Sequence, residues 1–234
     1  MSAHTRARLA VILLIAGAVV SALTIPAEIA EILLPELGAD QELAENPAGA
    51  VVLLLLFGLS LLTIAIYIAT VVVFLMWLHR CANNLRAFGY WTSQIAHSSA
   101  WAVGSFFVPI VNLFVPYKAT KEIWEKSRPS ESVPFSFSKS PPSFFPAWWG
   151  FWIACNFASN IYFRMTMGGA PREATAIVGV VSDSLSIAAA GFAIMVIKEI
   201  TRRQEETSQH LTLAPTMPPP PPRFEAAANQ SSQP

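Results

Sequence analysis

The chain has 234 residues, 53% of them hydrophobic, a mean hydropathy of +0.47, and 15 basic residues balanced by 15 acidic ones. Only 13% are charged, about half the share of an ordinary soluble domain, which argues against a water-soluble globule. Zero net charge leaves no electrostatic footprint for nucleic acid. The two cysteines, Cys81 beside basic residues and Cys155 inside an apolar run, are too few and too far apart for a disulfide framework or a zinc site. Both read as free thiols, and no metal or cofactor is expected.

A hydrocarbon core about 30 Å thick takes roughly 20 mostly apolar residues in a helix. Four runs meet that need, at about 9–34, 48–78, 144–163 and 174–197. In the first, Arg6, Arg8, the apolar stretch behind them and "VSA" ending at Ala22 are similar to a cleavable signal peptide. The run continues past that point to Leu34, around Pro26, Glu28 and Glu31, which favours a retained span. Glu28, Glu31, Glu36, Asp40, Glu42 and Glu45 follow without a Lys or Arg, an acidic loop expected on the outer face. The second run, "AVVLLLLFGLSLLTIAIYIATVVVFLMWL", is the strongest. Its Ser60, Thr63, Tyr67 and Thr70 follow helical spacing and predict an inward polar stripe. Beyond Trp77 the apolar positions Leu78, Cys81, Ala82, Leu85 and Phe88 keep that spacing. This predicts an amphipathic helix over 79–89 lying along the membrane, with Gly89 as its C-cap.

Residues 100–116 are apolar but awkward. As a helix, Ala100–Val115 reaches only about 24 Å at 1.5 Å per residue. Pro109 removes a backbone donor at its middle, Asn112 adds an amide, and Pro116 closes it. Charge decides more firmly than hydropathy. With four spans and a cytoplasmic N-terminus, all Lys and Arg residues except Arg164 and Arg172 face the cytoplasm. If 100–116 also crossed, six of the 15 would lie inside and nine outside, against the positive-inside rule. The expected segment is therefore re-entrant or interfacial. The same topology sets all seven tryptophans (77, 91, 101, 124, 148, 149, 152) at or near the cytoplasmic boundary, a zone that indole favours.

After Pro116, Tyr117, Thr120, Ile123 and Trp124 line one side of a helix expected over 117–127. Lys118–Glu122, Lys121–Glu125 and Glu122–Lys126 supply i,i+4 charge pairs on the rest. The Ser- and Pro-rich stretch from Ser127 to Pro146 reads as a loop. Taken together, "WLHRCANNLRAFG", "WAVGSFFVPIVNLFVPYKATKEIWEKS" and the tryptophans 148, 149 and 152 resemble the bacterial multi-pass family catalogued as domain of unknown function 4328. The resemblance covers roughly residues 50–200. It rests on Trp101, Gly104, Pro109, Asn112, Leu113, Pro116, Glu122 and Trp124 in their order and spacing. Where members of that family tend to have Ser-Pro-Gly before the tryptophan, this chain has "SSA", and Ser105 stands where a second aromatic is common. The resemblance implies an integral membrane protein and carries over no catalytic residues.

Asp183 is the most informative polar residue in a span, because a carboxylate at mid-membrane has to be protonated, paired or wetted. Asn156, Ser159 and Asn160 form a polar face on the third span, and Gly179, Asp183, Ser186 and Ala190 a small, polar face on the fourth. The expected contact is Asp183 with Asn156 or Asn160. Such groups commonly serve as hydrogen-bonded glue between helices; the alternative is a proton-coupling or permeation site that includes Asn112. His79 and His97 have no partners at metal-ligand spacing, and no nucleophile–base pair, phosphate-binding glycine loop or paired-carboxylate motif calls for catalysis. Residues 201–234 are expected to form a disordered, Pro-rich cytoplasmic tail with a short polyproline II rod at Pro218–Pro222.

The sequence thus reads as an all-α integral membrane protein of the plasma membrane over 1–200. It has four transmembrane helices, one re-entrant or interfacial segment, amphipathic helices on the cytoplasmic face and both termini cytoplasmic. The expected role is accessory or scaffolding, with the lipid bilayer and a protein at the cytoplasmic face as partners. The alternative is a small transporter or channel around Asp183, Asn156, Asn160 and Asn112. Nothing in the pattern fixes an oligomeric state.

Overall fold

The computed structural model describes residues 3–34, 47–128 and 140–213, and among them it is helical with no strand. Among the described residues six α-helices follow in order: α1 (Ala3–Leu33), α2 (Pro47–Ala87), α3 (Ser99–Gly104), α4 (Val115–Lys126), α5 (Phe144–Met167) and α6 (Arg172–Leu213). Three of them, α1, the part of α2 from Phe57 onward, and α6, are long and apolar enough to cross a membrane. The sequence expectation of four such runs is met in helix formation but not in hydropathy. α5 carries Trp148, Trp149 and Trp152 together with Asn156 and Asn160, side chains that hydropathy scales penalise although the indoles are mostly apolar area. The acidic residues Glu36, Asp40, Glu42 and Glu45, most of the Ser/Pro stretch and the Pro218–Pro222 run lie outside the described residues.

The elements differ from the sequence expectation in four places. First, α1 ends at Leu33, as the expected span of about 9–34 does, but Glu28 and Glu31 then belong to its last turns and not to the acidic loop. Second, residues 79–87 are the uninterrupted end of the 41-residue α2; no turn chemistry interrupts it before Gly89. There Gly89 (φ 91°) lets Tyr90 N–H reach the Leu85 carbonyl and its own N–H reach Arg86, both at 3.2 Å, the paired bonds of a Schellman motif. Third, α6 runs twelve residues beyond Thr201, and Thr201, Arg203, Gln204 and Thr207 are buried. That part of the expected tail is packed helix, because its polar side chains find partners on α2 and α4. Fourth, the polar stripe on α2 does not face inward: Ser60, Thr63 and Tyr67 are exposed, and Thr63 and Thr70 bond their own helix at Leu59 and Ile66.

The long helices are antiparallel neighbours in the order α2–α1–α6–α5. Arg6 reaches the Met76 carbonyl at 2.9 Å, which registers the start of α1 against the second half of α2. His4–Glu205 and Ser21–Asp183 mark the register of α1 on α6. Ser159–Ser182 and the stacked Phe151–Phe192 rings do the same for α5 on α6. A tight connection makes the last hairpin possible: Gly169 (φ 67°) closes α5, with Ala170 N–H on the Met165 carbonyl at 3.0 Å.

Between α2 and α5 the chain packs short pieces across one end of the bundle. Ser98 caps α3 by accepting from Trp101 N–H at 3.1 Å. A 3₁₀ turn (Ser105–Phe107), a tight reversal at Pro109–Ile110 and a second 3₁₀ turn (Val111–Leu113) lead into α4. Prolines and the lack of a continuous hydrogen-bond ladder keep 100–116 from forming one helix. This end of the bundle, where α1 begins and α2 finishes, is called the platform end below.

Candidate functional site

Two polar assemblies stand out, one inside the α1–α6–α5 packing and one at the platform end. In the first, Asp183 takes hydrogen bonds from α1: Ser21 Oγ donates to Oδ1 at 2.9 Å and Thr24 Oγ1 donates to Oδ2. The expected partners lie elsewhere. Asn156 Nδ2 donates to the Trp152 carbonyl of its own helix at 2.7 Å, and Asn160 Oδ1 accepts from Arg164 Nε at 2.9 Å; both are exposed. The reason is angular. Successive residues of a helix point about 100° apart, so α1 covers Asp183 while α5 covers Ser182. Ser159 Oγ meets Ser182 Oγ at 2.8 Å, and Cys155 Sγ lies 3.8 Å from the Ser182 carbonyl.

Glu28 completes this assembly. Its carboxylate lies against Gly179 of α6, where a Cβ would overlap Oε1 and meet the Tyr162 ring at 3.1 Å. Oε2 is buried with no hydrogen-bond partner. The sequence reading missed Ser21, Thr24 and Glu28 as site residues. Their signal was present, since 21, 24, 28 and 31 are spaced by three and four and fall on one helix face. It was hidden by assigning Glu28 to a loop.

The second assembly gathers the residues of the quoted motifs. Glu122 on α4 accepts from Ala96 N–H (2.7 Å), His97 N–H (3.1 Å) and His97 Nδ1 (2.6 Å), and Lys126 Nζ bonds both Glu122 and the Gln94 carbonyl. Burial opposes the charged form of Glu122, but the bonds from Lys126, His97 and Ala96 outweigh it and hold the carboxyl below its ordinary range. His97 thus has a carboxylate partner 25 residues away, beyond the reach of a spacing argument.

Trp124 is fully enclosed, and the Arg203 guanidinium lies over its ring at 3.8 Å while bonding Glu199 at 3.0 Å. Gln204 ties three elements together through the Cys81 carbonyl (3.0 Å), Ser127 Oγ (3.1 Å) and Asn84 Nδ2 (2.9 Å). Trp77 donates to Thr201 Oγ1 at 3.2 Å. Five of the seven tryptophans, 77, 124, 148, 149 and 152, belong to one aromatic core with Phe74, Phe106 and Phe145. Trp91 and Trp101 are exposed.

The remaining motif residues shape the reversal between α3 and α4. Gly104 ends α3 in open space, and Pro116 is buried at the start of α4. The Leu113 carbonyl accepts from Trp149 Nε1 at 2.9 Å, so α5 anchors the loop. Ile110 has φ 69° and ψ −50°, and Val111 N–H bonds the Pro109 carbonyl at 2.8 Å. That is a γ-turn with positive φ, a strained form held by a branched residue that is 76% exposed. Phe107 and Phe114 flank it on the surface. Asn112 sits just behind, its Oδ1 buried without a partner. Its contacts are with the loop, and the helix interval from Trp149 to Cys155 separates it from the Asp183 assembly.

An all-helical chain with three apolar helices of membrane length, a polar strip between helices and an aromatic end has the architecture of a membrane protein. The chain belongs to the family described as Domain of unknown function (DUF4328), whose model matches residues 44–202. That match covers α2 to most of α6 and includes every motif residue named above. No curated protein and no solved structure matches the chain.

Proposed function

We propose that this chain is an accessory or scaffolding protein of the plasma membrane, in which α1, α2, α5 and α6 all cross the bilayer and both termini are cytoplasmic. α5 is 24 residues long, about 36 Å at 1.5 Å per residue, and it packs antiparallel on α6. The charge distribution then leaves only Arg164 and Arg172 outside. Residues 100–116 dip into the near leaflet, with Phe107, Ile110 and Phe114 exposed toward lipid and the chain returning to the same side.

The observation that carries the scaffolding reading is the cross-bonded platform end. Arg203, Gln204, Glu122 and Trp124 bond α2, α4, α6 and the 94–97 segment to one another, and Trp91, whose N–H bonds Gln94, stands exposed at the edge of that segment. A fixed surface of exposed aromatic and charged groups is what a partner protein requires. The test is site-specific photocrosslinking in cells. A crosslinker at Trp91 is expected to give a discrete protein adduct, and one at Phe107 lipid adducts. Lipid adducts at both positions would refute the scaffolding role.

A second reading is favoured by one specific observation, the buried, unpartnered Glu28 Oε2 close to Asp183. Acids that face one another between spans mark proton or ion pathways in many membrane proteins. Under that reading the chain is a small transporter or channel. Proteoliposomes would then show a proton or cation flux that Glu28→Gln and Asp183→Asn each abolish; equal flux in all three chains would reject it.

A further inference from the structure

Along the first turns of α1 and the matching turns of α6 runs a groove of about 350 Å³. Its floor is apolar, built from Ala7, Val11 and Ile12 on one side and Ile197 on the other. Its rim is cationic. Arg8 and Lys198 both line it and are exposed, and neither has a hydrogen-bond or ion-pair partner among the described residues. The acids nearby are already engaged. Glu205, the carboxylate on the groove, lies 3.7 Å from His4 Nε2, an ion pair when that imidazole is protonated. Arg202 is held by Glu199 and Glu206 at 3.0 and 2.6 Å. Arg6 turns away to the Met76 carbonyl.

We propose that this groove binds one anionic phospholipid, its phosphate held between Arg8 and Lys198 and an acyl chain lying over Val11, Ile12 and Ile197. The proposal rests on the membrane reading of α1 and α6. Two observations favour a lipid over a soluble anion. The apolar floor offers nothing to a hydrated phosphate, whereas it matches a methylene chain. It also leads into an exposed stripe on α1, Ile12, Ile15 and Val19 (60%, 49% and 52% exposed), so an acyl chain leaving the groove stays on apolar surface. Unpaired cations at the end of a span, beside an apolar cleft, are the arrangement that selects acidic headgroups.

The test uses the full chain in phosphatidylcholine vesicles with traces of spin-labelled phosphatidylglycerol or spin-labelled phosphatidylcholine. The motionally restricted fraction of each label gives the relative association constant. Phosphatidylglycerol is expected to be preferred. Arg8→Gln and Lys198→Gln should each lower that preference roughly fivefold, and the double variant about thirtyfold, the scale of a surface charge on an acidic lipid.

Arg8→Lys with Lys198→Arg keeps both charges and should keep the preference; loss in that variant would overturn the proposal. Arg86→Gln removes an exposed cation at the same end but outside the groove, and should change nothing. An equal loss with Arg86→Gln would mean diffuse surface charge and would overturn the site. Displacement of the label by millimolar glycerol phosphate would mark a free-anion site and do the same. Absence of any phosphatidylglycerol preference in a native chain that still inserts counts against the groove alone, whereas failure of the native chain to insert counts against the membrane reading beneath it.

Discussion

Asp183 and Arg203 stand on one helix, about 30 Å apart at 1.5 Å per residue, and their surroundings differ sharply. Arg203 is bonded to Glu199, donates to the Trp124 carbonyl at 3.3 Å and covers the Trp124 ring. Its neighbours Gln204 and Thr207 bond backbone and side chains of α2 and of the segment following α4. Asp183 has two hydroxyl donors, and beside it Glu28 keeps an oxygen without any. The platform end is therefore held in one shape by bonds that join four segments, although Trp124 Nε1 and Asn112 Oδ1 there are also buried without a partner. The α1–α6 strip is joined by fewer bonds, two hydroxyls on one carboxylate, so it should tolerate change more readily. A scaffold is expected to depend on the first region and a transporter on the second.

The comparison breaks most visibly at Trp124. Trp124→Ala removes the ring on which Arg203 rests and opens the aromatic core. It should cost about 3–5 kcal/mol, the usual range for such truncations, read as a large fall in Tm of the detergent-solubilised protein. A fall no greater than that of a surface substitution would mean the platform is not the rigid part.

Glu122→Gln comes next. Losing charge-assisted bonds to Lys126, His97 and two backbone amides should cost about 1.5–3 kcal/mol. Its pH dependence has a fixed sign. The folded carboxyl lies below its ordinary value of 4.5, so its stabilisation is fully present above about pH 4.5 and is lost as pH falls through the lower folded value. Unfolding curves from pH 6 to 3 should show this acid loss in the native chain and a smaller one in Glu122→Gln. Identical acid limbs would remove Glu122 from the account.

In the α1–α6 strip the effects should be smaller and coupled. Gly179→Ala places a methyl group on the Glu28 carboxylate and should cost about 1–3 kcal/mol. Glu28→Ala in the same chain should recover most of that, which a double-mutant cycle measures; additive effects would show that the two do not touch. Asp183→Asn is expected to change Tm least, by under about 1 kcal/mol, since the amide oxygen still accepts from Ser21 while the amide NH2 can donate to Thr24 Oγ1, whose own hydroxyl has the Ser21 carbonyl as acceptor.

Much of this was legible in the sequence. The long apolar runs gave α1, α2 and α6, the positions of Pro109 and Pro116 marked the break in 100–116, and Gly89 marked the end of α2. Of the motif residues, Pro116, Glu122 and Trp124 are buried on α4, while Trp101 and Pro109 are exposed. What could not be read was which helix faces which. Asp183 looked toward α5 only because α5 is its sequence neighbour across the hairpin; α1, at the other end of the chain, supplies its donors. The polar tail was misread for a related reason. Arg203, Gln204 and Thr207 look solvated by composition, and only long-range partners such as Cys81 and Ser127 make them part of the core. The stripe on α2 failed because Ser and Thr in a helix can bond their own preceding turn, which needs no neighbour.

The most direct test of the central claim, that α5 crosses the bilayer while 100–116 turns back, is labelling with a membrane-impermeant maleimide in a Cys155→Ser background. Met167→Cys, beyond the end of α5, should label on intact cells. Ser140→Cys, ahead of α5, should label only after the cells are opened. Labelling of Ser140→Cys on intact cells would place the platform outside and contradict the account.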